Sequence, residues 1–80
     1  MYYIILDYDR GSYFDVYREK DLESLNKAIN DIVKILITTS HTRHEVSIEI
    51  IEPESSIIRH FVRDDTKSIG ANTVLKEVVK

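Results

Sequence analysis

The chain opens with two apolar and aromatic stretches on either side of a short polar one, and residues two apart along such a stretch share one face of a strand. Tyr2 to Tyr8 and Ser12 to Arg18 are both rich in β-branched and aromatic residues, and Asp9-Arg10-Gly11 separates them with turn formers, which predicts a β-hairpin. If those three residues form the loop, with Gly11 in the left-handed conformation, Tyr8 faces Ser12, Leu6 faces Phe14 and Ile4 faces Val16. The core face is then Ile4, Leu6, Tyr8, Phe14 and Val16. The other face carries Tyr3, Ile5, Asp7, Tyr13, Asp15 and Tyr17.

The period changes after Asp21. Leu22, Leu25, Ile29, Ile32, Val33 and Leu36 recur at spacings of three and four, which lays one apolar stripe along a helix. Asp21 supplies a cap, Glu23 precedes Lys27 in the favourable orientation, and Thr38-Thr39-Ser40 ends the pattern near Ile37. Ala28 and Ile35 widen the stripe on one flank, as expected if a second element packs beside the helix on the sheet, and the end of the chain supplies a candidate.

Glu45 to Glu52 and Ile57 to Asp64 read as a second hairpin around Pro53, Glu54, Ser55 and Ser56. A loop of Pro53 to Ser55 pairs Glu45 with Arg63, Glu49 with Arg59 and Ile51 with Ile57, and sets Val46, Ile48 and Ile50 opposite Val62, His60 and Ile58. At the end of the chain Val74, Leu75, Val78 and Val79 recur at helical spacing, which predicts a short helix begun near Asn72; the valines leave a fifth strand as the alternative. The expected architecture is ββαββα, a four-stranded antiparallel sheet in the α+β class with a long and a short helix on one face and nothing on the other.

Composition bounds the function. Eighty residues and 9.4 kDa, 42% apolar and 31% charged, make one small domain over residues 1–80 whose core must be efficient or shared with another subunit. The chain has no cysteine, which removes disulfides, thiolate metal ligands and thiol nucleophiles. It has no apolar run long enough to span a bilayer and no amino-terminal signal pattern, so the expectation is a cytoplasmic protein without membrane contact. A net charge of -3 and a pI near 5.5 give no broad positive field for nucleic acid.

Candidate chemistry is sparse. Asp7, Asp9 and Asp15 lie close in the first hairpin but read as turn and surface carboxylates, and His41, His44 and His60 lack the further ligands that zinc needs. His60 reads as a residue at the edge of the core. The serines have no glycine elbow, and Ser68-Ile69-Gly70 is not a phosphate loop, so neither a catalytic residue nor a cofactor or metal site is expected. His41, Arg43, His44, Arg59 and Arg63 form a local basic cluster that could contact phosphate, with Glu45 and Glu49 as competing partners.

The aromatic face carries more information. Tyr3, Ile5, Tyr13 and Tyr17, with Ile51, Ile57 and Phe61 on the outer face of the second hairpin, predict an exposed apolar patch of the kind that marks protein interfaces. The expectation is a non-enzymatic protein-binding module or inhibitor, homodimeric or bound to a protein partner, of a size and isoleucine content that suit a viral or mobile-element accessory protein acting on a host factor. The alternative is a nucleic-acid-binding or regulatory protein that uses the cluster around Arg43 and Arg59.

Overall fold

The computed structural model describes residues 1–38, 44–68 and 73–79. Five strands, β1 (Tyr2–Tyr8), β2 (Tyr13–Glu19), β3 (Glu45–Ile51), β4 (Ser56–Arg63) and β5 (Leu75–Val78), form one antiparallel sheet in the order β2-β1-β3-β4-β5. One helix, α1 (Leu22–Thr38), lies between β2 and β3 in the chain. The α+β class is as expected, whereas the sheet has five strands rather than four and the order among the described residues is ββαβββ rather than ββαββα.

The helix forms where its pattern places it. The Asp21 carboxylate accepts the Ser24 amide at 2.7 Å and its carbonyl accepts the Leu25 amide at 3.1 Å, satisfying donors that the first turn leaves open. Leu25, Ile29 and Leu36 enter a core with Ile4, Leu6, Val46, Ile48, Ile50, Phe61 and Leu75, and Ala28, Ile32 and Val33 pack around them. At the far end the Thr38 hydroxyl donates back to the Lys34 carbonyl.

Both hairpins differ from expectation by one residue in register, for a common reason: each loop holds four residues instead of three. In the first, Asp9 and Arg10 adopt positive φ of 48° and 57° and Gly11 of 95°, and Tyr8 pairs with Tyr13. Left-handed backbone costs roughly 1–2 kcal/mol per non-glycine residue. Hydrogen bonds offset it. The Gly11 amide donates to Asp7 Oδ1 at 2.6 Å, the Ser12 amide to the Tyr8 carbonyl at 3.0 Å, and Asp9 Oδ1 accepts the amides of His44 and Glu45 at 2.9 and 3.2 Å. The loop is thereby tied to the start of β3. Because a one-residue shift turns every side chain to the opposite face, Tyr13, Asp15 and Tyr17 join Ile4, Leu6 and Tyr8 on the helix side, and Phe14 and Val16 leave the expected core at 54% and 65% exposure.

In the second hairpin the loop runs from Glu52 to Ser55, closed by the Glu52 amide on the Ser55 carbonyl at 2.8 Å. Glu49 sits opposite Ile58 and Glu45 opposite Val62, so the expected pairs Glu45 with Arg63 and Glu49 with Arg59 do not form. Magnitudes explain the choice. Two exposed ion pairs are worth about 0–1 kcal/mol each, whereas full burial of a phenylalanine is worth about 1.5–3 kcal/mol. The observed register places Phe61 opposite Val46 at 0% exposure, in the centre of the core instead of on the outer face.

The chain after β4 forms a strand, not a helix; Asn72 itself lies outside the described residues. Asp64 turns the chain by accepting the Thr66 amide and hydroxyl at 3.0 and 2.6 Å, and its own amide donates to the Val74 carbonyl at 2.8 Å. β5 then pairs with β4, and Leu75 fills the core beside α1. A segment this short gains little as a lone helix and its valines lose rotamer freedom there, while the edge of β4 offers a ready ladder. The element beside α1 is thus a strand, and Ile35 on the flank of the helix is 52% exposed.

These registers predict that Phe61→Ala destabilises the fold by about 3–5 kcal/mol while Phe14→Ala changes it by less than about 0.5 kcal/mol, as read by urea denaturation. Equal losses would contradict the assignment of faces.

Candidate functional site

The face of the sheet away from α1 has no covering element among the described residues, and the ladders arrange its side chains in rows. One row runs Phe14, Asp7, Ser47, His60, Val78; the next runs Val16, Ile5, Glu49, Ile58; a third runs Arg18, Tyr3, Ile51. A shallow groove of about 690 Å³ lies over the first row and over Ile5, Glu49 and Ile58 of the second, and extends to Arg59, Glu77 and Val79.

The polar row is internally satisfied. His60 Nε2 lies 2.8 Å from Glu45 Oε1, its Nδ1 lies 2.8 Å from Ser47 Oγ, and Glu45 Oε2 accepts from Arg10 Nε at 3.0 Å. A carboxylate accepts, so the neutral ring carries its hydrogen on Nε2 and takes the Ser47 hydroxyl hydrogen at Nδ1. The order hydroxyl, imidazole, carboxylate is that of an activated nucleophile. What such chemistry also needs is a pair of donors aimed at a developing oxyanion. Ser47 lies on the central strand, between Asp7 of β1 and His60 of β4, so the backbone amides along β3 are committed to the two flanking ladders. The array therefore acts as a clasp that joins the first loop, β3 and β4.

The apolar row is different. Ile58 is 65% exposed, Val16 equally so, and between them Ile5 and Glu49 are half-buried. Among the described residues the Glu49 carboxylate has neither an ion-pair nor a hydrogen-bond partner. Asp7 adds a second negative charge to the groove. Arg59, whose guanidinium lies over the Phe61 ring on the helix side of β4, is neutralised by Glu77 through two bonds of 2.7 Å.

The residues named from sequence distribute as follows. Tyr3, Ile5 and Ile51 lie on the open face; Tyr13, Tyr17 and Ile57 lie on the helix side, exposed beyond the helix; Phe61 is core. Phe14, Val16 and Ile58 take their places in the patch because the one-residue shift exchanges the faces, and Val78 joins them because its segment is a strand and not a helix. Tyr8, half-buried on the helix side, donates to Asp15 at 3.2 Å, and burial together with the Asp15 charge pushes its hydroxyl up to about 12. Of the basic cluster, His41 and Arg43 lie outside the described residues, His44 is exposed, Arg59 is paired with Glu77, and Arg63 sits 3.2 Å from Asp65. Asp7 and Asp9 spend carboxylate oxygens on backbone amides, and the described residues contain no group of three or more metal-ligating side chains. No described helix is long and apolar enough to cross a membrane.

Three carboxyls are held below their ordinary range: Asp21 by the hydrogen bonds from Ser24, Asp64 by those from Thr66, and Glu77 by the Arg59 guanidinium. A depressed folded-state pKa stabilises the fold above the unfolded-state pKa, and that contribution is lost as pH falls through the folded value. The melting temperature should accordingly fall on acidification through the lower carboxylate range. The double variant Asp64→Asn, Glu77→Gln should lose less over the same interval; an unchanged slope would contradict these assignments.

The chain matches no protein-family model, no curated protein and no solved structure at a significant level.

Proposed function

We propose that this chain is a non-enzymatic protein-binding module or inhibitor that acts through its open sheet face, in the manner of a small accessory protein that occupies a site on a larger one. The observation that carries the reading is the row Val16, Ile5, Glu49, Ile58: an apolar stripe across four strands with one unpartnered carboxylate in its middle. An apolar surface left in water forgoes about 25 cal/mol for each Å² that a partner could cover. A half-buried carboxylate within it is costly unless a cation meets it on binding. The partner surface that fits is therefore a lysine or arginine flanked by aliphatic or aromatic side chains. Phe14 and Val78 extend the contact along the groove, and Tyr3 adds a ring at its border.

The nucleic-acid alternative has less support, because in the cluster on which it rests Arg59 and Arg63 already face carboxylates. Against catalysis stands the position of Ser47 on a central strand, where the surrounding amides belong to the ladders.

Selection of a random peptide library on the wild-type protein, counter-selected on Ile58→Glu, should enrich sequences with a basic residue between apolar ones. Their binding should fall at least tenfold on Glu49→Lys, which leaves the core untouched. Enriched peptides that bind Ile58→Glu and Glu49→Lys as well as wild type would place recognition elsewhere.

A further inference from the structure

The two edges of the sheet are not alike. β5 is a four-residue strand whose middle positions are Lys76 and Glu77, the short and charged kind of edge that resists pairing. β2 runs seven residues from Tyr13 to Glu19, contains neither proline nor glycine, pairs without a bulge along β1, and among the described residues has no strand on its outer side. Such an edge is a template for another strand.

The ladders show which groups it presents. The Asp9 amide bonds the Glu45 carbonyl, so the odd-numbered residues of β1 direct their backbone toward β3 and the even-numbered ones toward β2. Their partners on β2 are Tyr13, Asp15, Tyr17 and Glu19. The N–H and C=O groups of Phe14, Val16 and Arg18 therefore point outward, a row with Val16 at its centre.

We propose that β2 pairs antiparallel with β2 of a second copy of this chain about a two-fold axis at Val16, so that one sheet runs through both subunits. With Phe14, Val16 and Arg18 as the bonding positions, charge selects among the registers that remain. A two-fold axis at Asp15 sets that carboxylate against its own copy, and an axis at Tyr17 sets Asp15 against Glu19. The axis at Val16 brings no like charges together. It places Val16 against Val16, the Phe14 ring beside the Arg18 guanidinium of the second copy, Asp15 opposite Tyr17, and Tyr13 opposite Glu19. Pairing of this kind also joins the two open faces across the axis into one longer surface. It does not depend on what that surface binds.

Sedimentation equilibrium from micromolar to millimolar protein tests the proposal. Wild type and Ile58→Glu should both reach twice the chain mass, since Ile58 is remote from the edge. Val16→Pro removes an outward N–H that no ladder uses, and Val16→Lys sets like charges at the axis; whichever of these keeps the wild-type circular dichroism should remain at the chain mass. Because the chain lacks cysteine, Val16→Cys should in addition form a disulfide-linked dimer on mild oxidation, the Cα atoms of a bonded antiparallel pair lying about 5.5 Å apart. A monomeric wild type, or a dimer that survives both Val16 substitutions, overturns the proposal. So does a dimer lost in Ile58→Glu, which would assign association to the open face instead.

Discussion

Burial of one phenylalanine governs this small fold. With one helix to cover five strands among the described residues, only the side chains that the ladders turn toward α1 can be enclosed, and Phe61 is the largest of the fully buried ones. Seating it opposite Val46 sets the register of β3 and β4, which sends Ile58 and His60 to the far side and leaves Glu49 between two isoleucines. It also brings Arg59 over the Phe61 ring, 5.7 Å from its centre, where the guanidinium can meet Glu77 of β5. The groove, its unpartnered carboxylate and the pairing of Arg59 with Glu77 on the helix side all descend from that one choice.

The first loop sets the other half of the open face. Asp9 is committed to the amides of His44 and Glu45, and Arg10 to the Glu45 side chain, so the turn that connects β1 and β2 is also the brace that starts β3. A strained four-residue loop is held in place by this contact, and its even length presents Phe14 and Val16 outward. The His60 and Ser47 array continues the same brace across the sheet. The polar clasp keeps the central strands in order beside the exposed apolar row.

Helix α1, the positions of the first four strands and the uncovered face were legible because each rests on a local signal: a 3.6-residue stripe after a capping aspartate, or alternation bounded by turn formers. The registers were not, since alternation is nearly symmetric to a one-residue slip and loop length decides between the two solutions. Asp9 and Arg10 gave no sign that non-glycine residues would take the left-handed region, because the partners that hold them there come from distant His44 and Glu45. Reading register from exposed charges weighed the weaker force, as Glu49 and Arg59 illustrate. For β5, helical spacing among four apolar residues could not reveal the open edge of β4 to which they add. An uncovered apolar face was foreseen, and Tyr3, Ile5 and Ile51 lie on it, whereas Tyr13 and Tyr17 of β2 and Ile57 and Phe61 of β4 were drawn from the wrong side of their strands.

Because the bond from the Arg63 amide to the His44 carbonyl makes the even positions of β3 the bonded ones, Glu49 and Ile58 form a close non-bonded pair. The most direct measurement is a nuclear Overhauser spectrum resolved at the α-protons of β3 and β4. Strong cross-peaks between Glu49 and Ile58 and between Ser47 and His60 are the result this account requires. A cross-peak joining Glu49 to Arg59 in place of Ile58 would return Phe61 to the outer face and contradict the account at its root.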